Sequence, residues 1–247
     1  AAVVGAGFSP QLLATLLESS ELAEQDALEE LERSGMVAGT AFRHDLIRQS
    51  VYASLAAGRR QLLHARAAQA LRPGHVQTLE AERWIVVGEH LLAAGELEPA
   101  ARAFGRGATD LQELGLLDQA RGLYESSLAR LGAATGQDDA ARAAATPALT
   151  LLKTGLADCL VALGDLGAAA DLLEEALATA ITPELQGGAL GTRARLLLRT
   201  GKLEQAGADA RKAVELARRV GGRLMELNAS STLAEAEFHL GRLEEAE

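Results

Sequence analysis

The chain has 247 residues, which is enough for one or two domains with a substantial core. Hydrophobic residues make up 48% of it and aromatic residues only 3%, with Ala and Leu dominating, and this composition favours closely packed helices over a sheet sandwich. The net charge of −10 argues against the whole chain being a nucleic-acid binder.

The apolar runs and the cysteine content point to a cytoplasmic protein. No run approaches about 18 residues, so we expect no membrane span. The single cysteine, Cys159, excludes an internal disulfide framework and fits a reducing cytosol. Because Cys159 lies in the apolar run ADCLVAL, we expect a buried structural thiol.

The two ends of the chain suggest a piece of a longer protein. The chain starts without Met and without the basic region of a signal peptide. It stops inside a repeat signature, LEEAE, where a solenoid would leave an uncapped apolar face. We therefore expect a fragment.

Residues 1–42 predict two helices and a hairpin. Ser9 and Pro10 are typical of the N-cap and first residue of a helix, SPQLLATLLESS. A second helix is expected from about Glu24 to Ser34, where Gly35 ends it. MVAG and TAFRH, around Gly39-Thr40, are expected to pair as a short β-hairpin. Helix, helix, hairpin is the outline of a winged helix.

Two further helices complete the predicted first domain, residues 1–74. Asp45 is expected to cap the third helix, DLIRQSVYASL. The fourth, RRQLLHARAAQAL, follows a break at Ala57-Gly58 and is expected to stop at Pro73-Gly74.

The stretch from Trp84 to Ala108 predicts two antiparallel helices joined at Gly95. Apolar residues recur at helical spacing in the first helix, and Pro99 suits the first turn of the second. Ala100 and Phe104 would face back on the first helix. A single helix from about Glu98 to Leu114 then closes one hairpin and opens the next.

The turn of this hairpin recurs along the chain. Gly is followed two residues later by Leu and five later by Ala, around Gly95, Gly115, Gly164, Gly201 and Gly241. The glycines are about 20, 49, 37 and 40 residues apart, against about 34 in a standard helical repeat. Residues 75–247 are therefore predicted to be repeats. Residues 132–147, small and polar without a clear stripe, are expected to interrupt them as a loop, with a short helix over Asp138–Ala145 as the alternative. Pro147 and Pro183 are then expected to start new helices.

This pattern resembles the tetratricopeptide (TPR) repeat. Trp84, Gly88, Ala100 and Phe104 match its fixed positions, whereas Gly107 lies where the repeat has Ala. The resemblance implies an all-α fold, in which antiparallel helical hairpins stack in a TPR-like right-handed superhelix behind a small winged-helix-like domain.

The passage GFSPQLL…LERSGMVAG…FRHDLIRQSVYASL…RRQLLHARAAQAL is similar to the winged-helix segment of STAND-type regulatory ATPases, a group that includes the large LuxR-type and maltose-regulator-like bacterial transcriptional regulators. In that family the segment lies between a nucleotide-binding domain and a TPR-like array. The resemblance implies a regulatory, non-catalytic region that couples nucleotide state to inducer or partner binding. A free-standing TPR scaffold that binds a peptide or protein remains the alternative.

The resemblance assigns one residue to nucleotide sensing. His44-Asp45 resembles the family's His-Asp pair, whose histidine contacts the β-phosphate of bound ADP. An imidazole N–H can donate to a phosphate oxygen. His44 is thus a candidate sensor of ATP or ADP in the full-length protein, whereas this chain itself carries no cofactor. The other reading is that Asp45 is only a cap and His44 only ends the hairpin.

Other chemistry is not indicated. No phosphate-binding loop GxxxxGK[ST] is present, so this chain alone is not expected to be an enzyme, and no metal-ligand spacing occurs. The predicted recognition helix is acidic, with Glu29, Glu30 and Glu32, which argues against direct DNA contact. We expect the arginines of residues 43–72 to pair with the acidic helices or to face a nucleotide-binding domain.

The repeats offer an inner face for binding. TPR arrays bind along the concave face, which is lined by the first helix of each hairpin. The predicted polar residues on that face are Glu89, Thr154, Asp158, Arg195, Asn228 and Glu235. The partner expected there is a protein or peptide, a small inducer, or another protomer of a homo-oligomer.

Overall fold

The structure of the protein is a computed structural model that describes residues 1–5, 7–72, 80–136 and 139–242. The described residues form twelve helices and one two-stranded sheet, so the prediction of an all-α fold is confirmed. Contacts divide the chain into two units, residues 1–103 and 104–247. The predicted boundary at residues 74 and 75 lies outside the described residues and stays a prediction.

The first unit follows the predicted order of helix, helix, hairpin, helix, helix, and then adds the first repeat-like helix. Its elements are α1 (Pro10–Leu17), α2 (Glu21–Arg33), β1 (Val37–Ala38), β2 (Ala41–Phe42), α3 (Asp45–Ser54), α4 (Ala57–Leu71) and α5 (Ala81–Ala94). The strands pair antiparallel, with Val37 opposite Phe42. The next helix, α6 (Leu97–Glu113), contains the boundary between the two units.

A small apolar core holds the first unit together. Its fully buried members are Phe8, Leu13, Leu16, Val37 and Ala67. The Phe8 ring meets Phe42 of the hairpin edge-on, with centroids 5.9 Å apart. From α4, Arg66 donates Nη1–H to the Leu16 carbonyl at 2.9 Å and pairs with Glu18 at 2.7 Å, so one predicted pairing of an arginine with the acidic segment is present.

The helix starts confirm one predicted cap and correct another. The Ser9 hydroxyl accepts from the Leu12 amide at 3.2 Å, as expected. His44, rather than Asp45, is the N-cap residue of α3, and it makes no capping hydrogen bond with its side chain. Asp45 instead accepts from the side chains of Arg48 and Gln49 one turn further along, and these hydrogen bonds lower the pKa of its carboxyl. The prediction of an Asp45 cap is therefore wrong.

The second unit consists of long helices in which each packs on the next. They are α7 (Leu117–Thr135), α8 (Asp139–Leu163), α9 (Leu166–Thr179), α10 (Pro183–Arg199), α11 (Leu203–Val220) and α12 (Arg223–His239). Thr182 caps α10 by accepting from the Leu185 amide at 3.4 Å, with Pro183 next to it, as the sequence predicts.

The recurring Gly–Leu–Ala pattern has one structural meaning at every described copy. Gly95, Gly115, Gly164 and Gly201 all have positive φ, between 74° and 88°, which glycine adopts without the strain that a side chain would bring. The alanine five residues after each of these glycines is 0% exposed, and a small residue there lets two helices approach closely: Ala100, Ala120, Ala169 and Ala206. The fifth copy, Leu243 and Ala246, lies outside the described residues.

The predicted loop at residues 132–147 is wrong over most of its length. α7 continues to Thr135, and α8 runs unbroken from Asp139 through Pro147. Alanine has the highest helix propensity, and Ala145 and Ala148 are buried. Burial of these two alanines and the alanine-rich composition together outweigh the backbone hydrogen bond that Pro147 removes.

Among the described residues, α8 is the one helix with the length and hydropathy that could cross a membrane. The packing of α8 within the second unit accounts for its apolar composition. It packs against α7, α9 and α10, and Leu152, Ala157 and Cys159 on it are 0% exposed. These contacts are those of a central helix in a stack of helices.

Candidate ligand groove on α8, α10 and α12

Three of the six predicted inner-face residues line one groove in the second unit. They are Asp158 of α8, Arg195 of α10 and Glu235 of α12. The groove has a volume of about 270 Å³. Each residue comes from a helix followed by a turn glycine, and each lies six residues before that glycine: Gly164, Gly201 and Gly241. The groove is therefore built from equivalent positions of successive hairpins.

The other lining residues follow the same periodicity. Val161 and Ala162 lie one turn after Asp158, and Leu198 and Arg199 lie one turn after Arg195. Residues three and four apart share a face of a helix. The three lining residues of α8 therefore lie on one face of that helix, and the three of α10 lie on the equivalent face of theirs. The groove thus has an apolar strip between charged positions.

Two of the charged side chains in the groove pair with each other, and two make no ion pair with a described residue. Arg195 donates Nη2–H to the Asp158 carboxylate and, at 3.4 Å, to the Thr192 hydroxyl. This ion pair joins α8 to α10, and both side chains keep about a third of their exposure. Arg199 and Glu235 are exposed, and neither makes an ion pair with another described residue. One cation and one anion are therefore available to a ligand.

The remaining three predicted residues do not line this groove. Thr154 donates its hydroxyl to the Thr150 carbonyl in its own helix at 2.9 Å. Asn228 is exposed on α12, nearly two turns before Glu235. Glu89 lies on α5, in the other unit, and is half-buried. It has the same position relative to Gly95 that Asp158 has relative to Gly164.

A second groove, of about 490 Å³, lies between α9, α10 and α11. Arg193 on its wall donates Nε–H and Nη2–H to the two carboxylate oxygens of Asp209, at 2.6 and 2.9 Å. These hydrogen bonds raise the pKa of Arg193. This bidentate pair satisfies one part of the polar wall internally, whereas Glu174 and Lys202 of the same groove are exposed.

The predicted nucleotide-sensing residue lies at the surface of the first unit. His44 follows β2 and precedes α3, and it is exposed. Its ring is therefore accessible to a group outside the described residues. The resemblance assigned it to ADP, and this role stays a prediction.

Cys159 has the character of a structural thiol. It is fully buried and donates Sγ–H to the Leu117 carbonyl at 3.4 Å. Burial raises the pKa of the thiol, which disfavours the reactive thiolate. In the described part of the chain, no three His, Cys, Asp or Glu side chains come together as a metal site.

One polar cluster in the first unit could not be predicted from the sequence. His64 of α4 and His90 of α5 bring their Nδ1 atoms to 2.9 Å, and the Tyr52 hydroxyl of α3 lies 2.9 Å from His64 Nε2. Sequence spacing could not reveal this cluster, because 26 residues separate the histidines and they meet only when α4 packs on α5.

No protein-family model matches the chain, and no curated protein matches it. Among solved structures, the chain is similar to the crystal structure of a Signal Transduction ATPase with Numerous Domains (STAND) protein with a tetratricopeptide repeat sensor from Pyrococcus horikoshii. The identity is 15% and the TM-score 0.47, and the match covers 97% of this chain and 40% of that one. This chain spans about two fifths of the length of that protein.

Proposed function

We propose that this chain is the non-catalytic regulatory and protein-interaction region of a signal-transduction ATPase of the STAND type, in a LuxR-type transcriptional regulator. The observation that carries the proposal is the groove on α8, α10 and α12, which repeats one helix position in three successive hairpins and leaves Arg199 and Glu235 available. An array with such a groove binds and senses without needing catalytic groups of its own.

The first unit supplies the link to a nucleotide in this proposal. Its helices and hairpin follow the order expected of a winged helix, and His44 is exposed between the hairpin and α3. We assign His44 the role of donating to the β-phosphate of ADP bound in a nucleotide-binding domain of the full-length protein. α2, the helix in the place of a recognition helix, carries exposed Glu29, Glu30 and Glu32, so this region does not contact DNA.

The groove sets the chemistry of its ligand. An apolar strip of Val161, Ala162 and Leu198 lies among the charged groups. A ligand that fits places an apolar group on this strip, an acidic group at Arg199 and a basic group at Glu235. A peptide segment or a small inducer with both charges meets these requirements, because opposite charges paired at a partly desolvated surface favour the matching ligand over others.

The nucleotide part of the proposal is tested in the parent protein. The reading frame around this segment is expected to encode a phosphate-binding loop upstream and a helix-turn-helix at one end. In that protein, His44→Ala is expected to weaken ADP binding and raise resting activity, whereas His239→Ala, which removes another exposed histidine, changes neither. Equal ADP affinity and resting activity in His44→Ala and the wild type would contradict the assignment.

The groove part is tested by reversing one charge. Arg199→Glu is expected to shift the dose–response of the parent protein to its inducer or partner at least tenfold. Arg219→Glu is the matched control, since Arg219 is also an exposed arginine without an ion pair to a described residue, and it lies outside the groove. Equal shifts in both variants would show a general charge effect and refute the groove.

The alternative function is a free-standing TPR scaffold for a peptide or protein partner. It shares the groove but requires no nucleotide-binding domain. A parent reading frame with further repeats and no phosphate-binding loop would favour the scaffold and remove the role assigned to His44.

A further inference from the structure

The cluster of Tyr52, His64 and His90 connects three helices of the first unit through two hydrogen bonds. His64 is 7% exposed and His90 is 6% exposed, so the two imidazoles meet in an interior that water scarcely reaches. Their ring centroids are 5.1 Å apart, and the Tyr52 ring meets His64 edge-on at 5.8 Å. The chain of contacts runs from α3 through α4 to α5.

The shared hydrogen bond limits how many protons the cluster can hold. Two nitrogens that face each other at 2.9 Å need one N–H donor and one acceptor, so one of the two Nδ1 atoms must lack a proton. When both rings are neutral, the Tyr52 hydroxyl can donate to His64 Nε2 while His64 Nδ1–H donates to His90. A second added proton would leave two N–H groups pointing at each other.

The surroundings offer little compensation for positive charge. On α4, the Arg60 guanidinium lies over the Tyr52 ring, 5.5 Å from its centroid, and adds a cation on that side. On α5, the carboxylate of Glu89 acts on His90 and raises its pKa, but less than burial lowers it. On the α1 side, Glu18 is engaged by Arg66. Burial lowers the pKa of both histidines, and lowers that of His90 to about 4.

The cluster also holds a helix that is otherwise weakly attached. No residue of α3 is buried, and Leu46 on it is 77% exposed. The Tyr52–His64 hydrogen bond and the cation–π contact of Arg60 with the Tyr52 ring link α3 to α4. By contrast, α4 and α5 pack along each other, and Val87 and Leu91 of α5 are buried. Disrupting the cluster should therefore release α3 first.

We propose that the Tyr52–His64–His90 chain is an acid-sensitive latch: with neutral rings it holds α3 and α5 against α4, and proton uptake releases α3. This inference rests on the first unit alone and is independent of the proposed function. Histidines whose pKa is lower in the folded state than the unfolded value of about 6.5 take up protons on unfolding. Their stabilisation is complete above pH 6.5 and is lost as the pH falls toward 4.

The test is a pH series on the full chain of 247 residues. The pKa of His90 is about 4 in the folded state and about 6.5 in the unfolded state. Lowering the pH from 7.5 to 5 should therefore raise the unfolding constant of the first unit roughly thirtyfold. Chemical denaturation at each pH measures this constant. His90→Leu is expected to flatten the pH dependence, whereas His44→Ala, which removes an exposed histidine, is expected to keep it.

A second measurement separates the latch from a general effect on folding. Tyr52→Phe removes only the hydroxyl, so the unit should still fold. The protection factors of the α3 amides against hydrogen exchange at pH 7 are expected to fall several-fold in this variant and to approach those of the wild type at pH 5, while those of the α5 amides change less. Imidazole resonances of His64 and His90 that both titrate near pH 6.5, or α3 exchange equal in Tyr52→Phe and the wild type, would overturn the latch.

Discussion

Gly155 of α8 lies directly against the ring of Tyr124 in α7. A Cβ built on Gly155 would come within 2.5 Å of Tyr124 Cε1 and 2.7 Å of Cζ. The tyrosine is 3% exposed, and its hydroxyl donates to the Gly105 carbonyl and to Gln112 at 3.5 and 3.4 Å. The missing side chain of one residue thus makes room for the largest buried ring at the α7–α8 contact.

Gly155→Ala is expected to destabilise the second unit by about 1–3 kcal/mol, because overpacking a filled core forces side chains and backbone to move. Gly122→Ala is the matched control. Gly122 lies inside helix α7 and has open space around it, so alanine there should stabilise by about 0.5–1 kcal/mol through helix propensity. Urea unfolding of both variants measures the difference, and equal effects would contradict the close contact.

The burial of Tyr124 also predicts a loss of stability at high pH. Desolvation raises the pKa of Tyr124 to about 12. A phenol with a folded pKa above its unfolded value of about 10 contributes stability that is present below pH 10 and lost as the pH rises toward 12. Tyr124→Phe should remove this part of the alkaline transition. Titration of the phenolate absorbance near 295 nm measures it, and a wild type and variant with the same alkaline midpoint would contradict it.

Glu237 is a buried carboxylate held by two arginines. Its side chain is 1% exposed, and it accepts from Arg211 Nη2 at 2.5 Å and from Arg242 Nη1 at 3.1 Å. Gly207 of α11 leaves the space for it, since a Cβ there would lie 3.3 Å from Glu237 Oε1. The carboxylate therefore ties α12 and the turn after it to α11.

Glu237→Gln is expected to cost about 1.5–3 kcal/mol, the range for hydrogen bonds to charged groups. The arginines keep much of their exposure, so removing the carboxylate charge does not strand buried cations. Glu235→Gln, two residues away and exposed, should change the free energy of unfolding by less than about 0.5 kcal/mol. A loss of the same size in both variants would show that the burial of Glu237 does not matter.

The parts of the fold that depend on local chemistry could be predicted from the sequence. The turn glycines need positive φ and the following alanines need close packing, so the Gly–Leu–Ala pattern located four hairpin turns. Asp158, Arg195 and Glu235 could be placed on one face because they share a position relative to those turns.

The predictions that were wrong or missing concern side chains with two competing partners, or contacts between residues far apart in the sequence. The sequence could not show that Asp45 binds Arg48 and Gln49 instead of capping α3, because a carboxylate at a helix start can do either. Residues 132–147 looked like a loop because their small residues show no stripe, whereas most of them lie in α7 and α8, and Ala145 is buried where α8 packs. The meeting of His64 and His90 depends on the register of α4 against α5, which no local pattern sets.

The coupling energy of the Asp158–Arg195 pair tells whether the pair is a structural contact or one that a ligand can replace. Both side chains are about one third exposed, so water screens their attraction, and a double-mutant cycle with Asp158→Asn and Arg195→Gln should give a coupling of only about 0.5 kcal/mol that weakens further in high salt. The Arg193–Asp209 pair is the control, because its bidentate geometry and the burial of Asp209 should give a larger coupling. If Asp158 and Arg195 couple as strongly as that control, the pair is a fixed link between α8 and α10. A weak coupling means that a charged ligand can displace Asp158 from Arg195 at little cost and so gain a second cation one turn from Arg199.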